Sequence, residues 1–202
     1  MKLIILDRDG TLNEDRDDYV KSPEEWVPIA GALEAVARLN QAGWHTVVAS
    51  NQSGLGRGLF DMATLNAMHV KMNQLLAKQG GRIDAVFFCP HAPSEPCGCR
   101  KPLPGLFEQI GQRFGVDLAD VPVVGDTLRD LLAGAAVGCP THLVLTGKSA
   151  RLSAGDLDAL LQQVPGTQVH ADLAAFADSL IQHDRRERGL PEESDSNYTR
   201  LA

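Results

Sequence analysis

Two acidic clusters and one cysteine–histidine cluster carry the chemistry open to this sequence. Asp7-Arg8-Asp9-Gly10-Thr11 follows the apolar run Lys2–Leu6 without a break. Two carboxylates two residues apart can divide tasks once the chain turns at Gly10. One attacks or binds a cation, while the other donates and accepts protons. Taken alone, D-x-D-G-T is equally a turn closed by Asp and Gly, but a second acidic site follows. Val121-Pro122-Val123-Val124-Gly125-Asp126 is another apolar run ending in an acid, with Asp130 four residues on. In open parallel sheets chemistry gathers at the carboxyl ends of strands, so Asp7 and Asp126 are expected to meet there. Carboxylates so close repel unless a cation sits among them. Mg2+ fits, because it needs few carboxylates and keeps places for water and phosphate. Ser50-Asn51-Gln52-Ser53-Gly54 adds hydroxyl and amide donors for phosphate oxygens, and Lys101 a charge to balance a phosphoryl group.

Cys89-Pro90-His91 and Cys97-Gly98-Cys99 give the spacing C-x-H-x5-C-x-C, while Cys139 stands apart. Three thiolates and one imidazole make a closed tetrahedral zinc site with no position left for substrate, so Zn2+ is expected to be structural. The loop holds Pro90, Pro93 and Pro96 but little apolar material, and Arg100-Lys101-Pro102 follows its last cysteine. Zinc is thus expected to fix Lys101. With no export signal recognised at Met1–Leu6, crowded cysteines read as metal ligands rather than disulfides.

The elements that must position these groups alternate β-rich runs with helical patterns, which predicts an α/β fold, a mainly parallel sheet wrapped by helices. Strands are expected at Lys2–Leu6, His45–Ala49, Ala85–Phe88, Val121–Val124 and His142–Leu145. Helical spacing covers Gly31–Ala42, the stripe Met62, Leu65, Met68, His69, Met72, Leu75 and Leu76, and the stretches Leu106–Phe114 and Leu128–Val137. The Met stripe, His69 included, reads as core packing. Residues 1–181 are expected to form a single domain. From Gln182 charges of both signs take over, and 182–202 reads as a disordered or lightly docked tail.

Composition narrows the function further. The chain has 202 residues, 44% hydrophobic and 22% charged, with a net charge of −7, which argues against a general nucleic-acid binder. No apolar run approaches the roughly 20 residues that span a bilayer. A cytoplasmic protein without membrane or nucleic-acid partners is expected, acting as a monomer because every proposed catalytic part comes from one chain.

In their order these segments resemble the haloacid dehalogenase superfamily of phosphohydrolases, over roughly residues 1–150. DRDGT follows a strand, a hydroxyl residue follows the second, then come a Lys and GD-x3-D after a later strand. The resemblance implies a Rossmann-like three-layer sandwich. It also implies that Asp7 attacks phosphorus, while Asp9 protonates the leaving oxygen and then activates water. Mg2+ would be held by Asp7, the main-chain carbonyl of Asp9, and Asp126. Ser50 and Lys101 would hold the phosphoryl group, and Asp130 would orient its neighbours. CPH…CGCRKP, DRDGTLN, SNQSGLGRG and YVKSPEEWVPIAGALEA are similar to the small bacterial heptose bisphosphate phosphatases and the related histidinol phosphatases. Neither Asn13–Ala49 nor Ser53–Val86 has room for a large cap domain, so short loops must shape the pocket.

The heptose branch implies removal of the 7-phosphate of D-glycero-D-manno-heptose 1,7-bisphosphate. The product, heptose 1-phosphate, is a precursor of nucleotide-activated heptose for lipopolysaccharide. Asn51, Gln52, Ser53, Arg57, Arg100 and Lys101 are then the expected substrate contacts, with Arg57 or Arg100 on the second phosphate. Histidinol phosphate is the alternative, but Arg57 would repel its ammonium. A polynucleotide end-phosphatase is a third reading, disfavoured by the acidic balance. Thr127 stands where many heptose-branch members carry Lys; Arg129 is a candidate to compensate.

Overall fold

The structure is a computed structural model that describes residues 1–189. Its strands are β1 (Leu3–Leu6), β2 (His45–Asn51), β3 (Ala85–Cys89), β4 (Val123–Gly125), β5 (Thr141–Val144) and β6 (Gln168–His170). Its helices are α1 (Ala32–Gln41), α2 (Ser53–Gly56), α3 (Met62–Lys78), α4 (Gly105–Phe114), α5 (Leu128–Ala135), α6 (Ala154–Gln163) and α7 (Leu173–Glu187). The described strands form one six-stranded sheet in the order β3-β2-β1-β4-β5-β6, every pairing parallel. From β1 the chain winds outward through β2 and β3, then returns to the other side of β1 for β4, β5 and β6. That reversal leaves a crevice between the carboxyl ends of β1 and β4, the place where such sheets bind ligands.

The layers follow from period-two alternation in β1, which is buried on both faces. Ile4 and Leu6 face one core with residues of α1, α3 and α7; Leu3 and Ile5 face the other with Leu106, Phe107 and Ile110 of α4. A third cluster, Leu131, Leu143, Leu160 and Val164, seats α5 and α6 on the β5 side. The result is the expected α/β three-layer sandwich. From Leu65 to Leu76 the Met stripe lies in the core as expected, whereas Met62 at the start of α3 is exposed; His69 is partly buried with its ring 6.5 Å from Phe88. Burial, helped by the charge of Arg8, pushes His69 down to about 4.

Three local differences have physical causes. β4 begins at Val123 rather than Val121, because Pro122 has no N–H for the ladder and contributes only its carbonyl, to Ile5 N at 2.9 Å. β6 is three largely exposed residues and lacks an apolar pattern to read. α7 runs through residue 181 to Glu187, so the expected tail begins inside a helix. The charges there are paired, Lys2–Asp184 at 2.5 Å and Arg188–Asp184 at 3.5 Å, rather than simply solvated. Residues 190–202 lie outside the described residues. Between β1 and α1 the chain runs as an irregular loop that Trp26 and Val20 anchor in the core. Backbone bonds Glu14 N to Val27 O (2.8 Å) and Ile29 N to Leu12 O (3.0 Å) close its mouth. No helix among the described residues is long and apolar enough to cross a membrane.

Candidate active site

The sheet delivers Asp7 and Asp126 to the crevice. Asp7 N donates to Val124 O at 2.9 Å, linking β1 to β4 just before the chain leaves the sheet. The Arg8 carbonyl then accepts from Thr11, Leu12 and Asn13 N, which folds the exit into a tight loop. Gly10 adopts φ +86°, and a Cβ on it would lie 2.2 Å from Asp126 Oδ2. Gly147, at φ +53°, approaches the same atom from the other side, its Cβ position also 2.2 Å away. Only glycine permits both the left-handed backbone and the contact. Asp126 thus sits in a slot between two loops, with Oδ2 accepting from Lys148 N at 2.7 Å.

Asp126 Oδ1 is buried and has no hydrogen-bond partner among the described residues. Burial, then the charges of Asp130 and Asp7, push Asp126 up to about 8. Asp7 rises to about 7 from burial and from Asp130, against the opposing pull of Lys101. Both hydrogen bonds to Asp7, from Arg8 N at 2.7 Å and Lys101 Nζ at 2.8 Å, land on Oδ1. Oxygens of Asp7, Asp126 and Asp130 lie within 4.8 Å of one another. Asp130 is already engaged: Oδ1 pairs with Lys101 at 2.5 Å, and Oδ2 accepts from Thr127 N (3.0 Å) and Oγ1 (2.6 Å) to cap α5. That leaves Asp7 and Asp126, two hard oxygen donors with one orphaned atom, as the pair that fits Mg2+.

Lys101 is 2% exposed, and its Nζ also donates to Ala49 O at 2.6 Å. Burial alone would lower it, but Asp130 and Asp7 outweigh that and hold it above the ordinary lysine range, so it stays charged. Asn51 places it. Its Nδ2 donates to Lys101 O at 3.0 Å and its Oδ1 accepts from Lys101 N at 3.0 Å. Asn51, expected to touch substrate, spends both side-chain atoms on the main chain of Lys101.

Gln52 is similarly engaged, donating to Asp9 Oδ2 at 2.8 Å and Ser50 Oγ at 2.7 Å. Arg8 Nη2 meets both oxygens of Asp9, at 2.9 and 3.0 Å. Burial tends to raise Asp9, but Arg8, Asn13 and Gln52 together hold it below the usual carboxylate range. Ser50 and Ser53 are buried on the cleft wall.

The cleft encloses about 170 Å3; Arg16, Arg100, Lys101, Arg129 and Lys148 line it, as do Asp15 and Asp17. Arg129 borders both this cleft and a neighbouring depression beside Leu152 and Leu160, while Thr127 takes the N-cap of α5. Arg57, expected on the second phosphate, is not among the lining residues; its guanidinium lies 5.9 Å over the ring of Tyr19. Tyr19 lines the cleft with φ 69°, a strained conformation for a residue with a side chain.

Cys89, His91, Cys97 and Cys99 converge beneath the same wall, their donor atoms within 4.8 Å of one another. Cys89 Sγ is 3.4 Å from His91 Nδ1 and 3.8 Å from Cys97 Sγ, and Cys99 Sγ is 3.3 Å from His91 Nδ1. Tetrahedral zinc with bonds of ~2.3 Å to sulfur and ~2.0 Å to nitrogen demands edges of about 3.5–3.8 Å. A disulfide is far shorter, at ~2.05 Å. The cluster fits structural Zn2+. Gln52 N donates to Cys89 O (2.8 Å) and Gly56 N to Pro90 O (2.9 Å), so one loop braces both the Ser50–Ser53 segment and Lys101.

A family model described as HAD-hydrolase-like matches residues 98–176. The D-glycero-beta-D-manno-heptose-1,7-bisphosphate 7-phosphatase of Bordetella bronchiseptica is 56% identical over 183 residues, covering 90% of this chain and 99% of that protein. Its counterpart in Pseudomonas aeruginosa is 49% identical over 180 residues, covering 89% and 98%. The crystal structure of the D,D-heptose 1,7-bisphosphate phosphatase from B. bronchiseptica, complexed with magnesium and phosphate, superposes with a TM-score of 0.84 at 55% identity, covering 91% and 99%. The chain belongs to this heptose bisphosphate phosphatase family of HAD-like hydrolases.

Sequence reasoning had missed five contributors to the site. Arg8 was visible only as the middle residue of D-R-D, where a turn residue gives no signal of burial. Gly147 and Lys148 follow β5 as Thr146-Gly147-Lys148 and form a further strand end at the crevice, a signal that could have been taken. Tyr19 and Arg16 lie in a loop with no periodicity to place them.

Proposed function

We propose that this chain removes the 7-phosphate of D-glycero-β-D-manno-heptose 1,7-bisphosphate through a phosphoaspartate on Asp7. The observation that carries the mechanism is the pairing of Asp7 with Asp126 at the β1/β4 crevice, Lys101 on Asp7 Oδ1 and Asp126 Oδ1 left orphaned. Asp7, the Asp9 carbonyl and Asp126 are the Mg2+ ligands; when bound, the ion neutralises charge on the phosphoryl oxygens. Ser50 and Lys101 hold the same group.

Asp7 attacks phosphorus as the bond to the C7 oxygen breaks, and Asp9, which takes up a proton from solvent once the phosphoryl dianion lies beside it, gives that proton to the departing oxygen. Asp9, now ionised, takes a proton from water as the water attacks phosphorus and the Asp7–phosphorus bond breaks. Inorganic phosphate and heptose 1-phosphate leave, the latter for nucleotide-activated heptose and lipopolysaccharide core synthesis. Arg100, Arg129 and Lys148 take the sugar and its second phosphate, a role the cleft lining supports better than Arg57. Zn2+ stays structural.

The catalytic unit is one domain whose described part runs through α7 to Glu187, and a single chain supplies the whole site, so a monomer suffices. A sugar phosphate is its partner, without nucleic acid or membrane, and the supply of activated sugars places it in the cytoplasm. Initial rates on both anomers of the bisphosphate, on histidinol phosphate and on a 3′-phosphorylated oligonucleotide test the reading. The β anomer should be turned over fastest; a preference for histidinol phosphate or the oligonucleotide overturns it.

A further inference from the structure

Arg8 takes no part in the mechanism above, yet it is among the largest fully buried side chains, 1% exposed. A guanidinium survives burial only when its N–H groups are paired. Nearly all of that pairing is aimed at one residue. Nε donates to Asp9 Oδ1 at 3.2 Å, and Nη2 donates to Oδ1 at 2.9 Å and Oδ2 at 3.0 Å. Nη2 also donates to Gln52 Oε1 at 3.2 Å, while Gln52 Nε2 donates to Asp9 Oδ2 at 2.8 Å. The three side chains close a ring of hydrogen bonds. Because Arg only donates and an ionised Asp only accepts, the ring admits one orientation of the Gln52 amide. The other Gln52 contact, to Ser50 Oγ at 2.7 Å, ties that ring to the phosphate-binding hydroxyl. Nη1 meanwhile is buried without a partner among the described residues. An unsatisfied N–H is a cost, retained here where the planar fork reaches both Asp9 oxygens and the amide at once.

We propose that Arg8, braced by Gln52, is the positioning residue that aims the Asp9 carboxylate at the leaving oxygen and then at the attacking water. This rests on the proton-transfer role proposed for Asp9. The clamp holds Asp9 at a set distance from Ser50, and so from the phosphoryl group. When Asp9 passes its proton to the departing C7 oxygen, the carboxylate left behind is received by Arg8. When the water gives up a proton, Asp9 collects it from the same position. Lys at position 8 could supply charge but not the fork.

The test compares two substrates. kcat/KM reports only the steps through departure of the leaving group. An alkyl oxygen, as in the bisphosphate, needs a proton from Asp9; the phenolate of 4-nitrophenyl phosphate does not. In Arg8→Met, kcat/KM for the bisphosphate should fall about 10²-fold and stay within about threefold for the aryl ester, the scale of a mispositioned acid. Arg8→Lys should fall about tenfold, with the same selectivity. Equal losses on both substrates, or no loss on the bisphosphate, overturn the proposal. Should Arg8→Met fail to fold, Arg8→Gln, which fills the same space but loses the charged fork, carries the same comparison, with a smaller but equally selective loss expected. Asp9→Asn separates the two readings. Full activity there on the bisphosphate refutes the role of Asp9 itself, whereas an inactive Asp9→Asn beside an unaffected Arg8→Met refutes only the clamp.

Discussion

Asp126→Asn tests the idea that the acidic crevice is built for a cation. Asp7, Asp126 and Asp130 oxygens lie within 4.8 Å of one another, and two charges at that separation repel by about 3 kcal/mol at an effective dielectric constant of ~20. The amide removes one charge and keeps the shape. Against this gain stands the charge assistance that Asp126 Oδ2 lends to Lys148 N, worth about 1–2 kcal/mol. Without magnesium, the variant should therefore be more stable than the parent by about 1–2 kcal/mol at alkaline pH, about 2–8 °C in Tm. The pH dependence has a definite sign. Burial, then Asp130 and Asp7, raises Asp126 from 3.8 to about 8, so the folded parent holds a proton that the unfolded chain has lost. Parent stability therefore falls as pH rises from about 4 to about 8, and the advantage of the variant grows across the same window. Thermal unfolding at pH 5 and pH 8.5, in magnesium-free buffer with zinc retained, reads this directly. Adding Mg2+ should then stabilise the parent and leave the variant unmoved, while turnover of the variant collapses. A variant less stable than the parent at pH 8.5, or equally stabilised by Mg2+, would refute the reasoning.

Asp7→Asn should lower turnover by roughly 10⁴-fold or more, with no covalent phosphate detectable by mass spectrometry of acid-quenched protein. Cys99→Ser should leave less than one zinc per chain by metal analysis and lower kcat by about 10- to 100-fold as the Lys101 segment shifts. Normal turnover in zinc-free protein would contradict this. Asn51→Ala removes two hydrogen bonds from the Lys101 main chain, about 2 kcal/mol, and should slow kcat by up to about thirtyfold in steady-state assays. Arg57→Ala should change KM by no more than about twofold, since only a cation–π contact of about 0.5–1 kcal/mol is lost.

The legible part of this protein was the part that repeats a local rule. Apolar runs ending in acids announced β1 and β4, and the spacing of Cys89, His91, Cys97 and Cys99 announced a tetrahedral site, because both patterns depend on residues close in sequence. What escaped depends on distant partners. In the sequence Asn51 reads only as a phosphate contact; it lines the cleft, but its role in bracing the main chain of Lys101, fifty residues away, could not be read from the sequence. Arg57 reads as a second-phosphate ligand because a bidentate Arg suits that role; its guanidinium lies over the ring of Tyr19, a contact between loops that spacing does not announce. The charged end of α7 looked like a solvated tail, because pairing with Lys2 requires the fold to bring the two termini of the described chain together.

One lysine links the acidic crevice to the cysteine–histidine cluster, and this bears on how a chain of net charge −7 handles a doubly phosphorylated anion. Lys101 contacts Asp7 and Asp130 on its charged end and is carried on the backbone that leaves Cys99. A flexible lysine would lose much of its side-chain entropy on entering such a site, and would do so in every turnover. Here that loss belongs to folding, because the Cys3His cluster and Asn51 set the main chain before substrate arrives. The acids can then remain numerous: in the proposed mechanism Asp7, Asp9 and Asp126 would serve the chemistry, while buried Lys101 and the Mg2+ expected between Asp7 and Asp126 would invert the local field. Preorganisation of this kind predicts that loosening the zinc loop lowers kcat more than it raises KM. Binding could draw on the cleft's other cations, whereas the proposed phosphoryl transfer would depend on Lys101, which bound zinc would hold still.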